Sequence, residues 1–195
     1  MIPLQNKTVG MFSSIVNLIA VLGFAVSMLF GFDSGSYFSS IFIAFSFVPM
    51  MACYACFASP ERKAAGYSAV GFSAMYAAII LLVYFAQLTT VRAGSLSPQA
   101  ASLLDFQQFG LMFNYDLLGY GLMALATFFT GLTFTPSSRP DRVLKALLMI
   151  HGVFFFSCLI FPMLELFHPG GPDWIGVTVL EFWCVYFAPI SILSC

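Results

Sequence analysis

The chain has 195 residues, of which 61% are hydrophobic and 17% aromatic, whereas only 8% are charged. Soluble domains carry about 25% charged residues, so this composition excludes a soluble globular protein. The net charge of -1 comes without any run of basic residues, which excludes nucleic-acid binding through a basic surface. The class that remains is an all-α polytopic membrane protein, with a single transmembrane domain over residues 1–195.

Six apolar segments have the length that a membrane-spanning helix needs. The hydrocarbon of a bilayer is about 30 Å thick and requires roughly 20 apolar residues in a helix. In hydrocarbon, a backbone N–H or C=O group without a hydrogen bond costs several kcal/mol, so each span is expected to be a regular helix. Turn-forming and helix-breaking residues bound the segments. The predicted six-transmembrane-helix bundle covers residues 9–32, 37–58, 67–91, 111–135, 143–164 and 174–193.

The basic residues predict the orientation of these helices. Lys and Arg in short loops stay on the cytoplasmic side during insertion. With a cytoplasmic N-terminus, all of the basic residues except Arg92 fall on the inner side. We therefore expect both termini to be cytoplasmic, in a multi-pass protein of the cytoplasmic (inner) membrane. The first segment is longer than the apolar part of a signal peptide and no cleavage site follows it, so we expect it to be retained.

The first helix carries small and polar residues along one side, from Gly10 through Asn17 to Gly31. Small residues let helix backbones approach closely. We interpret this side as a packing surface, which a membrane protein partner could occupy. An accessory subunit of a membrane complex is one function class that follows from it.

The second helix contains Cys53 and Cys56 in the C-x-x-C spacing of thiol-redox motifs. A disulfide-exchange enzyme of the membrane needs such a pair on the oxidising outer side, with further cysteines in the outer loops. Here the pair falls at the cytoplasmic end, and the outer loops contain no cysteine. We interpret the two residues as small side chains at a helix interface, while a redox role stays open.

The loop of residues 93–110 is long enough to hold structure of its own. It contains Ser97 followed by Pro98, a pair that favours the start of a helix. Two interpretations stay open. The loop either forms a short amphipathic helix that covers the outer end of the bundle, or it is a simple connector.

Polar side chains recur at helical spacing in the last four spans, so we expect their polar sides to face a common interior and the Phe-rich sides to face lipid. A charge at the middle of a membrane helix costs roughly 2.5 to 3.5 kcal/mol, so each one needs a partner, a cavity or a function. The polar side of the third span comprises Ser73, Tyr76, Tyr84 and Gln87, and that of the fourth comprises Asp116, Tyr120, Thr127 and Thr130. The polar side of the fifth span comprises His151, Cys158, Pro162 and Glu165, and that of the sixth comprises Thr178 and Glu181.

An acidic, outward-facing pocket is expected from these positions, because Asp116, Glu165 and Glu181 have only Arg92 as a fixed cation nearby. Protons, a metal ion or a cationic ligand would neutralise the excess charge, and a bound amine could stack on an aromatic ring. The alternative is structural, with Asp116 paired to Arg92 and Glu181 neutral and hydrogen-bonded to hydroxyls. The candidate ligand-binding residues are Gln87, Arg92, Asp116, Tyr120, Glu165 and Glu181, with Tyr84, His151 and Trp174 as secondary candidates.

The motifs of nucleophilic, nucleotide and dinucleotide chemistry do not occur in the sequence. The two histidines, His151 and His168, are predicted on opposite sides of the membrane, which disfavours a zinc or bis-histidine haem site. A single histidine ligand stays open, so the cofactor is unknown, and a non-enzymatic role is favoured. The first hypothesis is a protein that binds or transports a small molecule, with a proton or cation linked to it. The alternatives are the accessory subunit and a membrane-embedded enzyme that uses a carboxyl as acid or base on a lipid or isoprenoid.

Overall fold

The computed structural model describes residues 4–167 and 173–195, and every regular element in these ranges is a helix. The main helices are α1 (Leu4–Leu29), α2 (Asp33–Phe57), α3 (Lys63–Ala86, continued by a π-helical turn over Gln87–Val91), α4 (Pro98–Leu104), α5 (Leu111–Thr133), α6 (Arg139–His151), α7 (Phe154–Met163) and α8 (Asp173–Leu193). Six helical segments are long and apolar enough to cross a membrane, with α6 and α7 forming one of them. The predicted all-helical bundle with six spans is therefore confirmed.

The turn between α1 and α2 comes earlier than predicted. Residues 33–36 were expected to lie in a loop, but α2 already begins at Asp33. Gly31 has a φ of 64°, a left-handed conformation that glycine adopts without steric cost, so the chain reverses direction there. An acidic residue in the first helical turn is favourable because the N-terminal end of a helix carries partial positive charge.

The fifth predicted helix, over residues 143–164, is interrupted at Gly152 and Val153. The backbone N–H groups of Gly152 and Val153 bond to Met149 and Ile150, three residues back, which tightens the turn relative to an α-helix. A Cβ atom on Gly152 would lie 2.8 Å from the Cβ atom of Phe128. Glycine therefore allows close contact with α5 at the point where α6 ends.

The core of the bundle is built around α5, which packs against α2, α3, α6 and α7, while α8 packs against α1 and α6. The polar sides predicted for the third and fourth spans are confirmed as buried. Large apolar residues, among them Phe12, Phe38, Phe45, Phe85, Phe156 and Phe182, are exposed on the outside of the bundle. Such an outer surface suits contact with lipid, so the protein is a multi-pass membrane protein.

The small-residue side of α1 packs inside the chain itself. The buried Asn17 amide donates to Ser46 Oγ (2.9 Å) and to the Ile43 carbonyl (3.3 Å), and its oxygen accepts from Ser191 Oγ (2.9 Å). Asn17 thus links α1 to α2 and α8. A protein partner at this side of α1 stays a prediction.

The beginning of α1 and the end of α8 lie at the same end of the bundle. Ser14 Oγ, in the first half of α1, bonds to the carbonyl of Ser194, just after α8 (3.3 Å). The hydroxyl of Tyr54, near the end of α2, bonds to Ser194 Oγ. We call this the inner end and the opposite one the outer end. Their predicted assignment to the cytoplasmic and extracytoplasmic sides rests on the distribution of basic residues.

Candidate functional site

A cavity with a volume of about 380 Å³ lies at the outer end of the bundle. Residues of α1, α2, α3, α5 and α8 form its walls, together with the segment of residues 106–109. Most of the lining side chains are aromatic or aliphatic, and the exceptions include the carboxylates Asp33 and Asp116. In the described part of the chain, no basic side chain lines this cavity. The site is therefore mostly apolar, with two acidic side chains.

Asp116 is the buried carboxylate of the cavity wall. Its side chain is 4% exposed, and its Oδ1 atom is buried without a hydrogen-bond partner in the described structure. Burying an ionised carboxylate without a partner is costly. Tyr84 lines the same wall, and no hydrogen bond joins its hydroxyl to Oδ1 in the described structure. Asp116 is therefore the group on this wall whose interactions are incomplete.

The loop over the cavity has the helical form that the sequence allowed. Ser97 caps α4 by accepting from the backbone N–H of Ala100 (3.3 Å), and Pro98 occupies the first turn. A short 3-10 helix over Phe106–Gln108 follows. Phe106, Gln107 and Phe109 line the cavity. The predicted short helix is therefore present as α4, and the segment that follows it, residues 106–109, contributes to the cavity wall.

Gln87 holds this covering segment, which we define as residues 97–109. The Nε2 atom of Gln87 donates to the Leu104 carbonyl (2.8 Å), and the Oε1 atom of Gln87 accepts from the Phe106 backbone N–H (2.9 Å). Gln87 begins the π-helical turn at the end of α3; such turns are frequent at functional sites. The side chain of Gln87 is buried and reaches the segment, but it is not among the described lining residues.

Aromatic packing fixes the covering segment from the other side. The ring of Phe106 lies 5.9 Å from that of Tyr37, 6.0 Å from that of Tyr84 and 5.2 Å from that of Phe113, measured between centroids. The amide of Gln107 donates to Asp33 Oδ2 (3.3 Å) and to the Tyr37 hydroxyl (3.2 Å). The covering segment is therefore attached to α2, α3 and α5.

The structure brings only some of the predicted ligand residues to the cavity. Asp116 and Tyr84 line it, and Tyr120 is buried one turn further along α5. Arg92 is exposed beyond the π-helical turn, and the Oδ1 atom of Asp116 has no partner, so this oxygen is not paired with Arg92. Glu181 is partly buried, with its Oε1 atom unpartnered, and it is not among the described lining residues.

The remaining candidates lie away from the described cavity wall. Glu165 is exposed after the end of α7, in a left-handed conformation with a φ of 51°. Trp174, at the start of α8, is 68% exposed. His168 lies outside the described residues.

His151 is buried within a hydrogen-bonded link between helices. Its Nε2 atom lies 3.0 Å from Trp183 Nε1, and its Nδ1 atom lies 2.8 Å from Thr127 Oγ1. The indole N–H can only donate, so Nε2 accepts and the ring proton sits on Nδ1. Thr127 then accepts from His151 and donates to the Ala124 carbonyl (2.8 Å). A neutral, fully bonded histidine here joins α5, α6 and α8.

Several lining residues carry no charge and stand out only in the structure. Tyr37, Phe106 and Phe113 belong to α2, to the covering segment and to α5, and they meet in one aromatic cluster. Periodicity within single helices does not reveal such a cluster. Phe106 in the predicted loop was the available signal of this cluster. A loop that covers a membrane bundle must bury an apolar side chain against it.

The chain matches no family model, no curated protein and no solved structure. Its function must therefore be inferred from the cavity and the residues that line it. Within the described residues no cluster of three His, Cys, Asp or Glu side chains could hold a metal ion.

Proposed function

We propose that this membrane protein binds a small amphipathic cation in the cavity beside Asp116, and that it transports this molecule. One observation carries the proposal, namely a buried carboxylate with an unpartnered oxygen on the wall of an otherwise mostly apolar cavity. A cation would supply the missing partner. The rings of Tyr37, Tyr84, Phe106 and Phe113 would contact the apolar part of the ligand and can also attract its charge.

The size of the cavity favours a small molecule. A volume of about 380 Å³ lies near the lower end of the range of roughly 300 to 1,000 Å³ that is typical of ligand pockets. Such pockets combine apolar walls with a few polar groups that set orientation. Asp116 is the buried group on these walls that could set the orientation of a cation.

The proposal of transport rests on the position of this carboxylate. Ionisable residues inside membrane helices are rare and mark substrate, ion or proton pathways. Asp116 lies in α5, within a span, and it is buried toward the interior. Exchange of a proton for a cation at Asp116 would link transport to a gradient across the membrane, which we propose to be the cytoplasmic membrane.

Ligand-induced thermal stabilisation of the purified protein in detergent tests the binding step. The probes are phenethylamine, neutral phenethyl alcohol and anionic phenylpropionate, which share an aromatic body and differ in charge. We expect the amine to raise the unfolding midpoint and the other two to leave it unchanged. A ligand at 100 times its dissociation constant stabilises by about 2.7 kcal/mol, which such an assay resolves.

Two variants complete this test. Asp116→Asn removes the charge and keeps the shape, so the response to the amine should be lost. Glu61→Gln makes the same chemical change at an exposed position near the inner end, and its response should equal that of the wild type. Equal stabilisation by amine and alcohol, or an unchanged response of the Asp116 variant, would refute the proposal.

A further inference from the structure

Three buried oxygen atoms without hydrogen-bond partners occur in α3 and α5. They are Tyr76 Oη, Asp116 Oδ1 and Tyr120 Oη, and the side chains are 0%, 4% and 9% exposed. Buried polar atoms almost always have a partner in native proteins. Three unpartnered atoms on facing helices are therefore available to bind a further group.

The packing of α3 against α5 explains why these atoms are close to one another. Asp116 and Tyr120 are one turn apart on α5, and Tyr76, Ile80 and Tyr84 follow at one-turn intervals on α3, so each set shares a side of its helix. Between the two sets, a Cβ atom on Gly119 would lie 2.9 Å from Cδ1 of Ile80. The backbones thus approach closely, and both sets face the same interface.

Ring packing brings the two tyrosines together at this interface. The ring centroids of Tyr76 and Tyr120 are 5.7 Å apart. Asp116 lies one turn from Tyr120 on the same side of α5, so it belongs to the same interface as the two rings. Only Asp116 of the three residues is on the described cavity wall, so the two tyrosines lie behind it, toward the middle of the bundle.

The number and type of these atoms indicate which cation they would bind. A primary ammonium group has three N–H donors and no acceptor, and each of the three oxygens can accept one hydrogen bond. A quaternary ammonium group has the same charge but no donor, so it would leave the tyrosine oxygens unpartnered. A hydroxyl group has a single donor and no charge.

We propose that the head group bound at this site is a primary ammonium, held by Asp116 Oδ1 and by the hydroxyl oxygens of Tyr76 and Tyr120. This inference rests on the proposed function and assigns Tyr76 and Tyr120 as specificity-determining residues. All three oxygens are enclosed by protein atoms, so side-chain rotation must accompany entry of the ammonium group. The apolar body of the ligand then lies toward the aromatic rings of the cavity.

The test compares two cations of equal charge on the same wild-type protein, phenethylamine and its trimethylated derivative. Dissociation constants are measured by isothermal titration calorimetry in detergent. We expect the primary amine to bind at least about ten to a hundred times more tightly, which is the value of one hydrogen bond to a charged group, and the trimethylated cation can make none. Because this comparison needs no variant, it does not depend on how a substitution affects folding.

Tyrosine variants then locate the preference. Tyr76→Phe and Tyr120→Phe should each weaken binding of the primary amine about tenfold or more and leave binding of the trimethylated cation unchanged. Tyr54→Phe is the control, since the Tyr54 hydroxyl bonds to Ser194 at the inner end, and it should change neither value. Equal binding of both cations, lost in Asp116→Asn, would overturn this inference and keep the proposed function. Binding of neither cation would overturn both.

Discussion

Replacing Gln87 by leucine should release the covering segment from the end of α3. The substitution removes the donor to the Leu104 carbonyl (2.8 Å) and the acceptor for the Phe106 N–H (2.9 Å). Leucine keeps a similar size, so the buried position stays filled. The change therefore acts mainly on the two hydrogen bonds between α3 and the covering segment.

The expected change in the free energy of opening the covering segment follows from these two hydrogen bonds. A typical hydrogen bond contributes about 0.5 to 1.5 kcal/mol net, and more where a buried partner is left unsatisfied. Leu104 and Phe106 are only partly buried, so water can replace part of what is lost. We expect opening of the covering segment to become easier by about 1 to 3 kcal/mol, which is roughly a tenfold to hundredfold larger open population.

Hydrogen–deuterium exchange measures this opening directly. Backbone amides of residues 104–109 should exchange about ten to a hundred times faster in Gln87→Leu, while amides in the cores of α3 and α5 keep their rates. Thr89→Val is the matched control, since the Thr89 hydroxyl bonds only within its own helix, to the Phe85 carbonyl (2.6 Å). Unchanged exchange at residues 104–109 in the Gln87 variant would show that the amide does not hold the segment.

Two further substitutions test the interior of the bundle. Asp116→Asn, measured without added ligand, should raise the thermal unfolding midpoint because it removes a buried charge that lacks a full set of partners; a lowered midpoint would indicate that the carboxylate is already well bonded. Asn17→Ala should lower the free energy of unfolding by about 1 to 2 kcal/mol, since hydrogen bonds between membrane helices average about 0.6 kcal/mol each and Asn17 makes three. Titration with denaturing detergent measures this loss, and Thr8→Val, at an exposed site, should leave stability unchanged.

Helical periodicity predicted the interior best where the helices are continuous. The polar sides of α3 and α5 are buried along their length, because both helices are central and a side that faces the interior at one turn faces it at the next. The outward position of Phe residues follows from the same periodicity. Fold class and the burial of Asp116 could therefore be predicted from the residues alone.

The same reasoning fails for the fifth span because its helix is interrupted. His151, Cys158, Pro162 and Glu165 share one side only if a single α-helix runs through all four. The tightened turn at Gly152 changes the register between α6 and α7, and α7 ends at Met163. His151 is buried, whereas Glu165 is exposed. A glycine in an apolar segment gives little warning of such a break.

Contacts between distant segments could not be predicted from spacing. The partners of Gln87 are backbone groups of Leu104 and Phe106, and a sequence pattern does not show where a loop backbone will lie. The meeting of Tyr76 with Tyr120 also requires the approach of α3 to α5 at Gly119. These tertiary contacts define the site, so its residues could be predicted only in part.

A structure of the protein with ring-brominated phenethylamine tests the central claim most directly, because bromine locates the aromatic ring by anomalous scattering. We predict the ring within the aromatic walls and the amine nitrogen at hydrogen-bonding distance, about 2.7 to 3.2 Å, from Asp116 Oδ1. The claim is contradicted if the nitrogen points away from Asp116, or if the compound binds outside the cavity while Asp116 Oδ1 is paired with another side chain.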